Sequence, residues 1–159
     1  MSHSEAVSKR IQKKVQKEIK SVFKIETFNL EENSFEIPAN NFLQTSTFQE
    51  IHVQNALQGY VFIGTAPSKT DSFEYLVLLD KDLVIVKAKV LVYREDYGGE
   101  ICSPAFLKQF RGKSYDSEIK LGQDIQGVSG ATISCRSAIS GIKIITKKAK
   151  ILKKEGYLN

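Results

Sequence analysis

Residues 73–96 read FEYLVLLDKDLVIVKAKVLVYRED, two apolar runs joined by Asp80-Lys81-Asp82. Valine, isoleucine, leucine and aromatic residues dominate both runs, and each run is strand-length and bounded by turn residues, so the stretch predicts two β-strands. The turn is too short for a crossover, so the strands are antiparallel neighbours. In the second run Val84, Val86, Ala88, Val90 and Val92 alternate with Ile85, Lys87, Lys89 and Leu91. A period of two puts the first set on one face and the second on the other, one packed on a core and one partly wet.

Upstream, GYVFIGTAP predicts a further strand from Gly59, stopped at Pro67. The expected sheet is therefore built from residues 59–66, 73–80 and 83–94. FQEIHVQNA (48–56) alternates weakly and fits a strand or a short helix, and the segment from Phe28 to Asn41, with Pro38, fits a connector or an irregular strand. Helical periodicity frames the sheet on both sides. Val7, Ile11, Val15, Ile19 and Val22 stripe an N-terminal helix over 6–25, and Ala138, Ile142, Ile145, Ala149 and Leu152 stripe a C-terminal one starting near Ile133. SPAFLKQFRGK (103–113) reads as a short helix with Ser103 as N-cap, Pro104 in the first turn and Gly112 as the stop. The fold class is α+β: a twisted antiparallel sheet with packed helices, amphipathic at both chain ends. Residues 1–27 form a basic amphipathic helix and residues 28–159 a single domain.

Of the 159 residues 42% are hydrophobic and 26% charged, enough apolar content for an ordinary core. The net charge of +5 comes mainly from KRIQKKVQKEIK and KKAKILKK near the two ends. These read better as solvated faces of helices than as a nucleic-acid surface. The aromatic residues occupy core-like positions instead of alternating with the lysines, so no nucleic-acid partner is expected. Cys102 and Cys135 are too few for a disulfide framework. With only His3 and His52 present, a histidine-based metal site or a Ser-His-Asp triad has little support. The sequence as it stands has no membrane span and no signal peptide, which fits either a cytoplasmic protein or one whose export segment has been removed.

The chemistry-bearing stretch is GVSGATIS, residues 127–134, just ahead of the C-terminal helix. A helix N-terminus offers unpaired N–H groups and a partial positive charge, which suits a phosphate. Gly127 and Gly130 allow close approach, and Ser129 and Thr132 add hydroxyls. The stretch is neither a Walker loop nor a dinucleotide fingerprint. Alone, it reads more readily as an N-capping turn without a ligand than as a binding site.

Three motifs in order carry more: the loop Glu95-Asp96-Tyr97-Gly98-Gly99-Glu100, the Gln109-Phe110-x-Gly112-Lys113 element, and Ser129-Gly130-Ala131-Thr132. Together they resemble the FMN-binding domain family, which includes the covalent-flavin subunits of the sodium-pumping NADH:quinone reductase and of the Rnf electron-transport complex. The resemblance covers about residues 59–150. It implies an electron-transfer flavoprotein, a carrier or oxidoreductase subunit more than a stand-alone enzyme, with FMN joined through its phosphate to Thr132 by a transferase that uses FAD. Ser129, Gly130 and Ala131 would surround the phosphate. Glu95, Tyr97, Gly98 and Gly99 would line the isoalloxazine ring, Tyr97 either stacking on it or serving as a surface turn residue. Gln109, Phe110, Gly112 and Lys113 would frame the site, and Lys87, Lys89 or Arg94 would stand near the ring. The implied partners are donor and acceptor proteins of a membrane redox complex and the flavin transferase, on the extracytoplasmic face of the membrane or in the periplasm. Gln126 stands where the family usually has an acid, and Asp124 lies two residues earlier. That departure keeps a second reading open: a flavin-free or non-covalent FMN-domain adaptor.

Overall fold

A computed structural model of the chain describes residues 3–32, 45–96 and 99–156. Five antiparallel strands form one sheet in chain order: β1 (Asn29–Glu32), β2 (Thr45–Val53), β3 (Ala56–Pro67), β4 (Ser72–Leu79) and β5 (Ile85–Tyr93). The three expected strands are present. The ambiguous stretch 48–56 resolves into β2 and the start of β3, joined by Gln54 and Asn55, which have φ of 50° and 67°. Two consecutive positive φ values are the signature of a tight hairpin turn whose twist matches the flanking strands. The irregular segment after Phe28 contributes the short edge strand β1.

Helices cover both faces. α1 (His3–Phe23) buries Val15 and Ile19 against Ile51, Val61, Leu76, Leu78 and Leu91. α3 (Thr132–Lys154) lays Ala138, Ile142, Ile145, Ala149 and Leu152 on the opposite face, against a core that includes Tyr60, Phe62, Tyr75, Val77 and Val90. Each large aliphatic side chain buried in this way contributes about 1.5–3 kcal/mol, so the helices hold the sheet from both sides. The face expected to be partly wet lies under α1. There Glu18 pairs with Lys89 at 2.6 Å and Lys87 at 3.7 Å, and Lys14 Nζ donates to the Leu91 carbonyl at 2.7 Å.

The simple alternation along β5 fails at both ends. Register shifts occur between Leu78 and Leu79 and between Glu74 and Tyr75. As a result Ile85 joins the α3-side core while Val86 and Val92 pack on the α1 side. An inserted residue reverses which face the following side chains take. β5 also starts two residues later than expected. Asp80 Oδ1 accepts the N–H groups of Asp82 (2.8 Å) and Val84 (3.1 Å), which extends the turn through Leu83 at φ 65°.

After β5 a 3-10 turn (Gly99–Cys102) leads into α2 (Pro104–Leu107). Ser103 Oγ accepts the Phe106 N–H at 3.2 Å, so the cap lies where the sequence puts it. α2 tightens into a second 3-10 turn over Lys108–Phe110, and Gly112 at φ 85° ends it. No helix among the described residues is long and apolar enough to cross a membrane.

Candidate functional site

The turn before α3 is built from backbone and small side chains. Ala131 N–H donates to the Val128 carbonyl at 3.1 Å, and Val128 N–H donates to Cys135 Sγ at 3.4 Å. Ala131 and Cys135 are buried, while Ser129, Gly130 and Thr132 are exposed. Burial pushes the Cys135 thiol up against the opposing effect of the Val128 N–H. Its side chain packs beneath the turn and accepts a hydrogen bond. Gly130 has φ 80°, a region that side-chain-bearing residues rarely adopt.

α3 begins at Thr132 with Ala131 as N-cap and no side chain capping it, and its first turn carries no acidic residue. A helix of 23 residues thus starts with N–H groups that have no intrahelical partners and with its dipole uncompensated. The Thr132 hydroxyl stands at that end and is accessible. This is the local chemistry a phosphate requires.

Two clefts flank the turn. One, of about 410 Å³, is lined by Lys69, Tyr93, Glu95 and the run from Gly130 to Ser134. The other, of about 470 Å³, is lined by Ser103, Phe106, Gln109, Gln126, Gly127 and Ser129, among others. Thr132 and Ser129 therefore open into different clefts. Tyr93 Oη and Ser134 Oγ lie 3.1 Å apart and tie the end of β5 to the first turn of α3. That contact brings Glu95 and Thr132 into one cleft although 37 residues separate them.

The Glu95 carboxylate is already engaged. It accepts from Thr70 Oγ1 at 2.7 Å, from Thr70 N–H at 3.0 Å and from Ser68 Oγ at 2.9 Å. The Thr70 hydroxyl first, then the Thr70 N–H and the Ser68 hydroxyl, hold its carboxyl below the ordinary carboxylate range. Glu95 thus pins the β3–β4 turn against the cleft, and in doing so it positions Lys69. Nothing in the sequence pointed to Lys69. It lies in a polar turn far from every motif and reaches the site only because β3 and β4 form a hairpin.

The other expected residues divide clearly. Gln109 frames the approach to the turn: its Nε2 donates to the Gln126 carbonyl at 3.1 Å and its Oε1 accepts the Gln126 N–H at 2.7 Å. Phe110 is buried against Phe106. Lys113 is not brought to the site. Its carbonyl accepts the Ile85 N–H at 2.8 Å, at the opposite end of β5 from Tyr93, roughly 25 Å away along a strand of that length. Lys87, Lys89 and Arg94 are also absent from both clefts. The two lysines pair with Glu18, and Arg94 makes a two-pronged contact with Glu74 at 2.6 and 2.9 Å. Gly99 is exposed at the start of the 3-10 turn, while Tyr97 and Gly98 lie outside the described residues. Asp124 does not substitute for an acid at position 126, because its Oδ2 accepts the Lys120 N–H at 3.0 Å.

A flavin phosphate fits these residues: an uncapped helix start, a glycine-shaped turn, an exposed threonine hydroxyl and a neighbouring lysine. No curated protein matches the chain as a relative. Residues 70–147 match the family model described as the FMN-binding domain, a span that holds β4, β5, the Gln109 clamp and the turn at Ser129–Thr132. The domain at residues 70–147 belongs to the FMN-binding domain family, and its cofactor is FMN.

Proposed function

We propose that the protein is an electron-transfer flavoprotein in which FMN is joined through its phosphate to Thr132 Oγ1. The observation that carries this reading is the exposed Thr132 hydroxyl at the uncapped start of α3, facing the Lys69 cleft while Ser129 faces the other. Bound FMN supplies reversible one- and two-electron chemistry. The chain's own residues hold and orient it. The first-turn N–H groups of α3 and the Lys69 ammonium offset the phosphate charge, and Ala131, buried beneath the turn, keeps it rigid. With FAD as donor, formation of the Thr132–phosphate bond breaks the FAD pyrophosphate bond and releases AMP.

A tether through phosphate leaves the ring edge open to other proteins, which suits a carrier. Its partners on this reading are donor and acceptor proteins of a membrane redox complex, with the chain on the extracytoplasmic side, where the transferase acts. The test is co-expression with a flavin transferase, followed by denaturing-gel fluorescence and intact mass. Parent and Ser129→Ala carry flavin, and Thr132→Ala does not. Flavin that persists in Thr132→Ala overturns the assignment.

Gln126 favours a second reading, FMN held without a covalent bond. Its side chain is exposed and uncharged where the family usually has an acid, and Asp124 is turned away toward Lys120. On this reading the parent releases its flavin on denaturation, while Gln126→Asp gains covalent label.

A further inference from the structure

The β1–β2 edge carries a group of residues that the flavin site does not use. Register pairs Glu31 of β1 directly with Glu50 of β2, and His52 follows two residues after Glu50 on the same face. His52 Nε2 lies 2.8 Å from Glu50 Oε1 and 3.4 Å from Glu31 Oε2, and the three donor atoms fall within 4.8 Å of one another. Glu50 and His52 are buried, while the Glu31 side chain is 57% exposed. We propose that Glu31, Glu50 and His52 form a binding site for a divalent transition-metal ion of the Zn²⁺ class.

The spacing is what such an ion needs. With metal–ligand distances of about 2.0–2.2 Å, donors around a tetrahedral centre stand roughly 3.4 Å apart. Here the Glu31 distance of 3.4 Å matches that value, the Glu50 distance of 2.8 Å is shorter and has to lengthen around an ion, and the exposed Glu31 can swing to adjust. Two carboxylates facing each other across a strand pair repel, and a divalent ion offsets both charges with the neutral imidazole as third ligand. The donor set favours some metals over others. One nitrogen and two carboxylates suit Zn²⁺ and its neighbours, whereas Mg²⁺ and Ca²⁺ prefer oxygen alone and Cu⁺ prefers sulfur. Solvent reaches the ion on the Glu31 side and completes the coordination with water.

His52 Nδ1 is buried with no hydrogen-bond partner among the described residues. β2 and β5 are separated by β3 and β4, on the order of 14 Å across the sheet. Metal at this edge therefore secures β1 to the sheet and does not enter the flavin cleft.

The experiment is calorimetric titration of the EDTA-stripped full-length chain with ZnCl₂, with MgCl₂ for comparison, and thermal melts with and without Zn²⁺. We expect one Zn²⁺ per chain, no comparable Mg²⁺ binding, and a melting midpoint that rises with Zn²⁺. Glu31→Gln weakens Zn²⁺ binding at least about tenfold, and His52→Gln abolishes it. No binding by the parent overturns the proposal. So does binding that Glu31→Gln leaves unchanged, or binding lost in His3→Ala or Cys135→Ser instead.

Discussion

The side-chain amide of Gln109 pairs with the backbone of Gln126, donating from Nε2 to its carbonyl at 3.1 Å and accepting its N–H on Oε1 at 2.7 Å. A side chain thus does for the 126–132 segment what a neighbouring strand does for β5. It satisfies both backbone groups at once and sets where the turn before α3 begins. Gln109→Ala is expected to cost about 1–2 kcal/mol, the worth of two partly exposed hydrogen bonds. It should also lower FMN content per chain, because the turn loses its anchor. Gln109→Glu keeps the acceptor and loses the donor, so it should fall between. Thermal melts and flavin absorbance of the purified variants check both effects.

Gly130 makes a different demand. Nothing lies within 4 Å of a Cβ built there, yet its φ is 80°. The cost of Gly130→Ala is therefore purely conformational, about 1–2 kcal/mol, and Gly130→Asn should cost less because asparagine tolerates this region. The order Gly, Asn, Ala should appear in melting midpoints and again in flavin content.

Gly141 is the opposite case. A Cβ there would overlap Tyr75 Oη, which is buried and has no hydrogen-bond partner among the described residues. Overpacking predicts a loss of about 1–3 kcal/mol for Gly141→Ala, in spite of the better helix propensity. Tyr75→Phe removes the unpaired hydroxyl and should be close to neutral. In the double variant the Gly141→Ala penalty should shrink, and a double-mutant cycle by denaturant unfolding measures that coupling.

Lys69 lines the Thr132 cleft while Lys87, Lys89 and Arg94 are engaged elsewhere. Lys69→Ala should therefore make reduction of the flavin less favourable, and it should weaken any non-covalent FMN roughly tenfold, the worth of one charge-assisted contact. Lys87→Ala should change neither. Potentiometric titration and fluorescence quenching by FMN distinguish them.

The Glu95 tether is pH-dependent in a definite direction. Its carboxyl is held below the ordinary range by the Thr70 and Ser68 contacts. The folded form thus favours the carboxylate, so the tether is complete above the ordinary carboxylate pKa of about 4.3 and is lost as pH falls below it. The Thr70 amide proton resonance should shift only once pH falls below the ordinary carboxylate range, and in Glu95→Gln that shift should be absent.

Much of the candidate site was legible because the motifs are local. Ser129, Gly130, Ala131 and Thr132 are contiguous, and a glycine turn ahead of an apolar 3.6-residue stripe identifies a helix start whatever surrounds it. Lys69 was not legible, since it joins the cleft through a hairpin and a carboxylate tether that no sequence spacing records. Lys113 was misplaced for a related reason. Its neighbours in sequence belong to the frame of the site, but its carbonyl pairs with Ile85, and pairing decides where a residue lies along a strand.

The sequence by itself determined the antiparallel sheet, the two amphipathic helices, the Ser103 cap and the turn before α3, because each depends on periodicity and on residues within a few positions of one another. Tertiary structure alone decided that α1 covers the lysine face of β5, that a register shift exchanges the cores that Ile85 and Val86 join, and that Glu31, Glu50 and His52 converge. These outcomes depend on register and on which element packs over which face. Such choices are set by the summed burial of residues far apart in the chain and leave no local pattern to read.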